Sequence, residues 1–335
     1  MKRMLLIVLA VLVVLAVGLY LAFRFSPLPS VYVIRYVFSQ GDQTAMAALE
    51  PYVPSNIAER LDLAYGDRPD ETFDIFYPEG TDTPLPTIVW VHGGGWIGGS
   101  KTGVANYLRI VAGHGYTVVG LDYTTAPQAL YPTPVRQVNA ALGYLVANAD
   151  ALNIDADTII LGGDSAGSQI AAQFANVVTS PAYAEEVGIA PSLAAGQLAG
   201  IALFCGAYQL DGISLDGEFG WFIQTVLWAY TGVKDFMNDP EFEQASVTHY
   251  VTADFPPAFI SGGNGDPLTP QSHHLADALA AQGVEVETLF FPDDLEPALP
   301  HEYQFNLDRP EGMEALERLL AFLEKTAGAQ ADQEP

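Results

Sequence analysis

Cysteine is almost absent: Cys205 is the single one in 335 residues. A lone thiol excludes an internal disulfide framework and a thiolate metal cluster. It lies in the apolar run 198–205, so a buried core thiol is expected rather than a nucleophile. Basic residues are also scarce, with thirteen Lys and Arg against forty Asp and Glu for a formal net charge of −27. Four of the thirteen (Lys2, Arg3, Arg24 and Arg35) fall in the first 35 residues, which leaves nine for the rest of the chain. So acidic a surface repels phosphate backbones and argues against a nucleic-acid partner. No repeat of fixed period is present, which excludes a solenoid. Half of the residues are apolar, which excludes a disordered chain.

Long hydrophobic runs, by contrast, are present. Residues 4–23 are almost wholly apolar, and as a helix rising about 1.5 Å per residue they would span about 30 Å, the thickness of a bilayer core. The rival is a cleaved signal peptide of a secreted protein. Its apolar region is shorter, roughly 7–15 residues, and ends at a small-x-small site. Here the run leaves through Leu21-Ala22-Phe23-Arg24-Phe25, a poor cleavage site. Residues 1–25 therefore read as an uncleaved membrane anchor. Lys2 and Arg3 before it, against Arg24 after it, favour a cytoplasmic N-terminus and an extracytoplasmic catalytic domain.

Residues 26–44, opening with Ser26-Pro27-Leu28-Pro29-Ser30, read as a linker, with a short helix near 45–49. From there to 328 strands and helices alternate. Strands are expected at 86–91, 116–121, 158–161, 198–205, 257–261 and 284–291. Helices are expected at 134–148, 168–178, 273–281 and 311–325, and residues 329–335 read as a polar tail. This alternation predicts an α/β fold with a mostly parallel sheet covered on both faces. The interval 207–254 breaks the pattern with clustered aromatics. Phe222, Val226 and Tyr230 fall at helical spacing, so the interval reads as a helical cap insertion over a pocket. Trp96, Trp221 and Trp228 are the candidate pocket residues.

The chemistry-bearing stretch is Gly163-Asp164-Ser165-Ala166-Gly167, between an expected strand and an expected helix. This is the strand–turn–helix context that a G-x-S-x-G nucleophile requires. The flanking glycines allow the tight turn, and the following helix N-terminus favours developing negative charge. His92-Gly93-Gly94-Gly95-Trp96 follows the strand at 86–91. Three positions without side chains leave backbone N–H groups free to face an oxyanion, as can that of Ala166. A phosphate-cradling loop is the alternative, since Lys101-Thr102 lie just downstream. That motif needs glycine directly before the lysine, and Ser100 stands there.

A serine nucleophile needs a base oriented by a carboxylate. Of His92, His114, His249, His273, His274 and His301, only a histidine late in the chain suits the order Ser…Asp…His, and His301 fits best. Asp266 follows the strand at 257–261, where α/β folds place their sites. Asp293 and Asp294 are its rivals, beyond the next strand.

HGGGW, GDSAG, GDPLT and the late LPHEYQF, in this order, resemble the bacterial hormone-sensitive-lipase-like esterases and acetyl esterases of the α/β-hydrolase superfamily. The resemblance runs from about residue 64 to 323. It implies an α/β-hydrolase fold, Ser165 as nucleophile, Asp266 as acid and His301 as base. It also implies Gly94, Gly95 and Ala166 as the oxyanion hole, with His92 shaping the glycine loop. LAYG at 63–66 and FDIFYP at 73–78 look like the lead-in to the sheet of carbohydrate-ester and formamide hydrolases of that superfamily.

The expected function is serine carboxylic-ester hydrolysis through an acyl-enzyme, on small or short-acyl esters. Carbohydrate acetyl and feruloyl esters are the candidate substrates, and no metal or other cofactor is implied. An amidase, formamidase or peptidase shares every catalytic residue, so only substrates separate these readings. A non-catalytic binding module of the same fold would be expected to lack a triad member.

Overall fold

Strand β3 (Leu85–Val91) shows how the sequence builds the layers. Ile88 and Trp90 point into one buried cluster, Val89 and Val91 into another. A strand apolar at successive positions therefore sits in a sheet covered on both sides. The computed structural model describes residues 2–331. Its other strands are β1 (Ile57–Ala64), β2 (Thr72–Pro78), β4 (Thr117–Leu121), β5 (Ile154–Asp164), β6 (Leu198–Phe204), β7 (Ala258–Gly262) and β8 (Val286–Phe290). They form one sheet in the order β1-β2-β4-β3-β5-β6-β7-β8. The β1/β2 and β2/β4 pairs are antiparallel; all other pairs are parallel.

The helices are α1 (Lys2–Phe25), α2 (Leu28–Leu49), α3 (Lys101–Ala112), α4 (Thr133–Ala147), α5 (Ala149–Leu152), α6 (Ala166–Thr179), α7 (Pro181–Glu186), α8 (Gly217–Thr231), α9 (Pro240–Glu243), α10 (Thr269–Ala281) and α11 (Pro310–Ala331). Tyr107 and Leu108 of α3 and Leu319 and Phe322 of α11 pack with Trp90 on one face of the sheet. Val138 of α4, Phe174 of α6 and Leu275 of α10 pack with Val89 on the other. Each such fully buried side chain contributes roughly 1.5–3 kcal/mol.

Helix α6 is buried along its whole length, so its polar side chains must find partners inside the protein. Gln169 donates to the Ala245 carbonyl at 3.0 Å and accepts from the Trp96 indole at 3.0 Å. Asn176 donates to the Val247 carbonyl at 3.0 Å. These bonds tie the insertion expected at 207–254, which holds α8 and α9, down onto α6, the helix that starts directly after Ser165. Phe222, Val226 and Tyr230 lie together on α8, as their spacing predicted.

Residues 26–44 depart from expectation: they are not a linker but most of α2, and the short helix expected near 45–49 is its last turn. Pro27 and Pro29 stand at the helix start, where a missing N–H costs nothing. Val31, Ile34 and Phe38 turn inward at i, i+3 and i+7. Arg35 locks the helix down. Its guanidinium donates to the Ile97 carbonyl, to Ala126 O at 2.8 Å, to Thr125 Oγ1 at 3.1 Å and to Gln128 Oε1 at 2.7 Å. Helix α1 precedes it, with none of its residues buried; by length and composition it could cross a membrane or serve as a signal sequence. At the other end α11 continues to Ala331, so the expected tail at 329–335 begins as helix, and 332–335 lie outside the described residues.

Arg35→Ala leaves the Ile97 and Ala126 carbonyls short of a donor. We expect it to loosen α2 by about 1–3 kcal/mol. Faster amide exchange confined to residues 28–49 is the signature to look for; exchange like that of the wild type would assign the docking to the apolar stripe alone.

Candidate active site

The turn between β5 and α6 is unusually tight. Ser165 has φ 51° and ψ −120°, a conformation that costs a non-glycine residue about 1–3 kcal/mol. The surroundings hold it there. Ser165 N donates to Phe204 O at 2.8 Å, and Gln169 N donates to Ser165 O at 3.2 Å. A Cβ on Gly167 would stand 2.0 Å from the Val91 oxygen and 2.5 Å from that of His92. A Cβ on Gly163 would stand 2.7 Å from the Gly167 carbonyl carbon. Both glycines are therefore demanded by close packing of α6 on the end of β3.

His301 and Asp266 arrive from loops beyond the C-terminal ends of β8 and β7. His301 Nε2 lies 2.9 Å from Ser165 Oγ, and Nδ1 lies 2.9 Å from Asp266 Oδ2. Asp266 is buried, and its second oxygen accepts from Leu268 N at 2.9 Å, which fixes the carboxylate plane. The three residues singled out from the sequence thus form one hydrogen-bonded row. Asp293 and Asp294 take no part in it. Cys205, fully buried, is near Asp266 and His301; burial, then the Asp266 charge, pushes its thiol well up and keeps it from acting as a nucleophile.

The glycine loop lies opposite. Gly94 and Gly95 have φ of 106° and 58°. A Cβ on Gly94 would stand 2.3 Å from Gly98 O, because the loop closes on itself there. Among the described residues no protein acceptor takes the N–H groups of Gly94, Gly95 or Ala166. His92 is buried, stacked on Tyr123 with ring centroids 4.4 Å apart, and lies 3.5 Å from Asp122. Burial lowers its pKa, so it stays a neutral support for the loop. Lys101 Nζ binds Asp62 at 2.6 Å and Asp74 at 2.8 Å and is itself buried, so it cannot serve a phosphate in the cavity.

Several residues of the site were not foreseen. Asp164 accepts from Trp90 Nε1 at 2.7 Å and from Gly93 N at 2.8 Å, joining the Ser165 turn to the glycine loop. Burial, then the neighbouring Glu302 charge, pushes its carboxyl well above the usual range. Its place directly before Ser165 was the only hint. The Ser165 hydroxyl opens into a cavity of about 600 Å³. Phe38 and Asp42 of α2, Phe219 and Phe222 of α8, and Leu268 are among its walls. None of the three candidate tryptophans lines it. Trp96 is buried beneath, stacked on Tyr230 at 5.2 Å; Trp221 faces outward at 53 % exposure; Trp228 lies under the Lys234 ammonium at 4.6 Å. Phe219 and Phe222, at i and i+3 on α8, share the face turned to the cavity, whereas Trp221, directly before Phe222, points about 100° away from it around the helix.

Burial acts to lower the His301 pKa, but the Asp266 hydrogen bond and the charges of Glu302, Asp266 and Asp164 outweigh it and push it up to about 9. Glu302 stands 3.8 Å from His301 Nε2.

The BD-FAE family profile matches residues 73–279, which include the glycine loop, Ser165 and Asp266. The chain belongs to the BD-FAE family. This BD-FAE member is also similar to solved structures. Esterase B from Lactobacillus rhamnosis is 23 % identical with a TM-score of 0.74, over 91 % of this chain and 98 % of that one. The same enzyme inhibited by a tributyrin phosphonate is 24 % identical with a TM-score of 0.74, over 90 % and 96 %. The esterase of Pyrobaculum calidifontis is 21 % identical with a TM-score of 0.71, over 89 % and 94 %. At these identities the likeness establishes the fold, that of the α/β-hydrolases.

Two outcomes can be measured on the BD-FAE chain itself. Gly167→Ala forces a Cβ against the Val91 carbonyl, and we expect about 3 kcal/mol or more of lost stability in urea unfolding. For His301 the sign is set by charge. Glu302→Gln removes a neighbouring anion, so the imidazolium loses stabilisation and its pKa falls from about 9. NMR titration of the His301 ring should show the lower midpoint; an unchanged midpoint would mean that Asp266 and Asp164 set it without Glu302.

Proposed function

We propose that the chain is a serine carboxylic-ester hydrolase working through an acyl-enzyme on small or short-acyl esters. One observation carries this reading: the unbroken row from Ser165 Oγ through His301 to Asp266, with both contacts at 2.9 Å, at the floor of an apolar cavity.

Neutral His301 takes the Ser165 proton through Nε2 as Oγ attacks the ester carbon, while Asp266 accepts from Nδ1 and steadies the imidazolium. The free N–H groups of Gly94, Gly95 and Ala166 receive the developing oxyanion. Each such donor typically stabilises the transition state by about 3–4 kcal/mol. The imidazolium then protonates the leaving alcohol, and water attacks the acyl-enzyme with His301 again as base. Since the neutral ring is required, kcat/KM should rise with pH through the His301 ionisation, and the raised pKa moves that acid limb upward.

The cavity supports a neutral substrate. Among the described residues no Lys or Arg lines it, and Asp42, Asp164 and Glu302 do. Burial, then the Glu302 charge, pushes Asp42 up to about 6. An anionic acyl group or alcohol would meet these carboxyl groups and, among the described residues, no basic side chain besides the histidines His92 and His301. Carbohydrate acetyl esters and feruloyl esters are uncharged at the scissile bond and fit this restriction. We read α1 as an anchor holding the catalytic domain on the extracytoplasmic side: its 24 residues span about 36 Å at 1.5 Å each, and none is covered by the domain.

Ser165→Ala should reduce p-nitrophenyl acetate turnover by on the order of 10⁴-fold or more. A wild-type rate in that variant would assign the hydrolysis to another group. A p-nitroanilide panel in parallel separates ester from amide hydrolysis.

A further inference from the structure

Helix α2 is apolar on two opposite faces over its first ten residues. The inner face, Val31, Ile34 and Phe38, packs on the domain. The outer face carries Leu28, Tyr32 and Tyr36 at i, i+4 and i+8, with Val33 and Val37 beside them. All five are exposed, Tyr32 by 61 % and Tyr36 by 68 %. From Ser39 the outward positions turn polar, with Gln40, Gln43 and Thr44. A helix facing water carries charged or polar residues there; this one carries them only from its fourth turn on.

Position in the chain says what covers that face. Only Ser26 and Pro27 separate α2 from α1, so if α1 spans a bilayer, the start of α2 cannot be more than a few ångströms from the surface. A second tie is independent of the covalent link. Lys234, just past α8, donates through Nζ to the Arg24 carbonyl at 2.8 Å, one of the unpaired acceptors at the end of α1. The flanking Val233 and Met237 are exposed as well. The cap and α2 are thus both held against the end of the span. Tyrosines are the residues expected at headgroup depth, with a ring in the apolar boundary and a hydroxyl in water.

We propose that the outer face of α2 lies in the headgroup region of the bilayer that α1 crosses, and that the cavity draws its ester from that bilayer. Val37 links the two statements: it belongs to the exposed outer face and also lines the cavity. A neutral ester dissolved among lipid chains reaches the cavity rim without passing through bulk water. The substrate class is therefore membrane-partitioned neutral esters. A zwitterionic surface suits a chain of net charge −27 better than an anionic one. The proposal rests on the anchor and esterase readings above, and its test separates it from both.

The full chain is reconstituted in phosphatidylcholine vesicles with a nitroxide at Tyr32→Cys, Tyr36→Cys or Thr44→Cys. Cys205 is fully buried, so the introduced thiol is the one that reacts. We expect collisions with oxygen to dominate at 32 and 36, and collisions with a water-soluble nickel chelate to dominate at 44. Nickel access at 32 and 36 equal to that at 44, in protein resistant to carbonate extraction, overturns the proposal while leaving the anchor intact. Immobile labels shielded from both reagents also overturn it, since a second copy of the chain would then cover the face. Protein extracted by carbonate fails the anchor reading and this one with it. For the substrate, Tyr32→Asp/Tyr36→Asp should lower hydrolysis of hexadecyl acetate held in the vesicles at least fivefold and leave turnover of p-nitrophenyl acetate, which has the same acyl group, unchanged. Equal rates on both esters overturn the route from the bilayer; loss of both in Ser165→Ala confirms that the same site is being read.

Discussion

Gly167 brings the first turn of α6 against the carbonyl oxygens of Val91 and His92, nearer than any residue with a Cβ could come. That approach brings the end of β3 and the start of α6 to one point. The glycine loop leaves β3 there, and Ser165 stands at the head of α6, so their separation is set by backbone contact. Asp164 reinforces the junction by accepting from Trp90 and from Gly93 at once. The strain at Ser165 is sustained because every neighbour is buried: a relaxed serine would need β5, β6 and α6 to move together.

The electrostatics of the site follow from crowding of carboxyl groups around one imidazole. Asp266 is held rigid by Leu268 N and touches His301 directly, whereas Glu302 and Asp164 act at a distance. An imidazolium forming in the proposed acyl transfer therefore meets three acidic neighbours, which favours the step that takes the serine proton. The same crowding is hostile to anionic substrates. Asp42, from a helix far away in sequence, extends the acidic lining to the roof and is itself pushed toward neutrality by burial.

The most legible features were those in which the backbone itself makes the demand. GDSAG and HGGGW encode close approaches that exclude a side chain, so glycine spacing alone locates them. Strands β3, β4, β6 and β7 were visible because both faces are covered and the sequence is mostly apolar. Strand β1 was not: it is the sheet edge, carries Glu59, Arg60 and Asp62, and bulges between Arg60 and Leu63. Helix α2 was hidden by Ser26-Pro27-Leu28-Pro29, whose turn-like composition marks a helix start as well as a linker. The tryptophans show that an aromatic residue can stand near the site in sequence without facing it. Trp96 instead spends its indole N–H on Gln169 beneath the cavity. His301 and Asp266 were legible through chain order, through the place of Asp266 just after a strand, and through the short stretches GDPLT and LPHEYQF that hold them.

The roof over Ser165 comes from two separate segments, and each is tied to a different part of the body. The insertion is bonded through Ala245 and Val247 to α6, the helix that follows Ser165. Helix α2 is bonded through Arg35 to Ile97, Thr125 and Ala126, loops on the glycine-rich side of the site. Between the two segments Phe38 meets Phe222 with ring centroids 6.0 Å apart, and among the described residues no hydrogen bond joins α2 to α8. A seam of dispersion contacts can part at lower cost than either set of polar ties. Widening of the cavity along Phe38 and Phe222 would therefore leave the Ser165–His301–Asp266 row and the glycine loop undisturbed. Substrate access and catalytic geometry are in this way assigned to different interactions, so the roof can open while the strained serine stays in place.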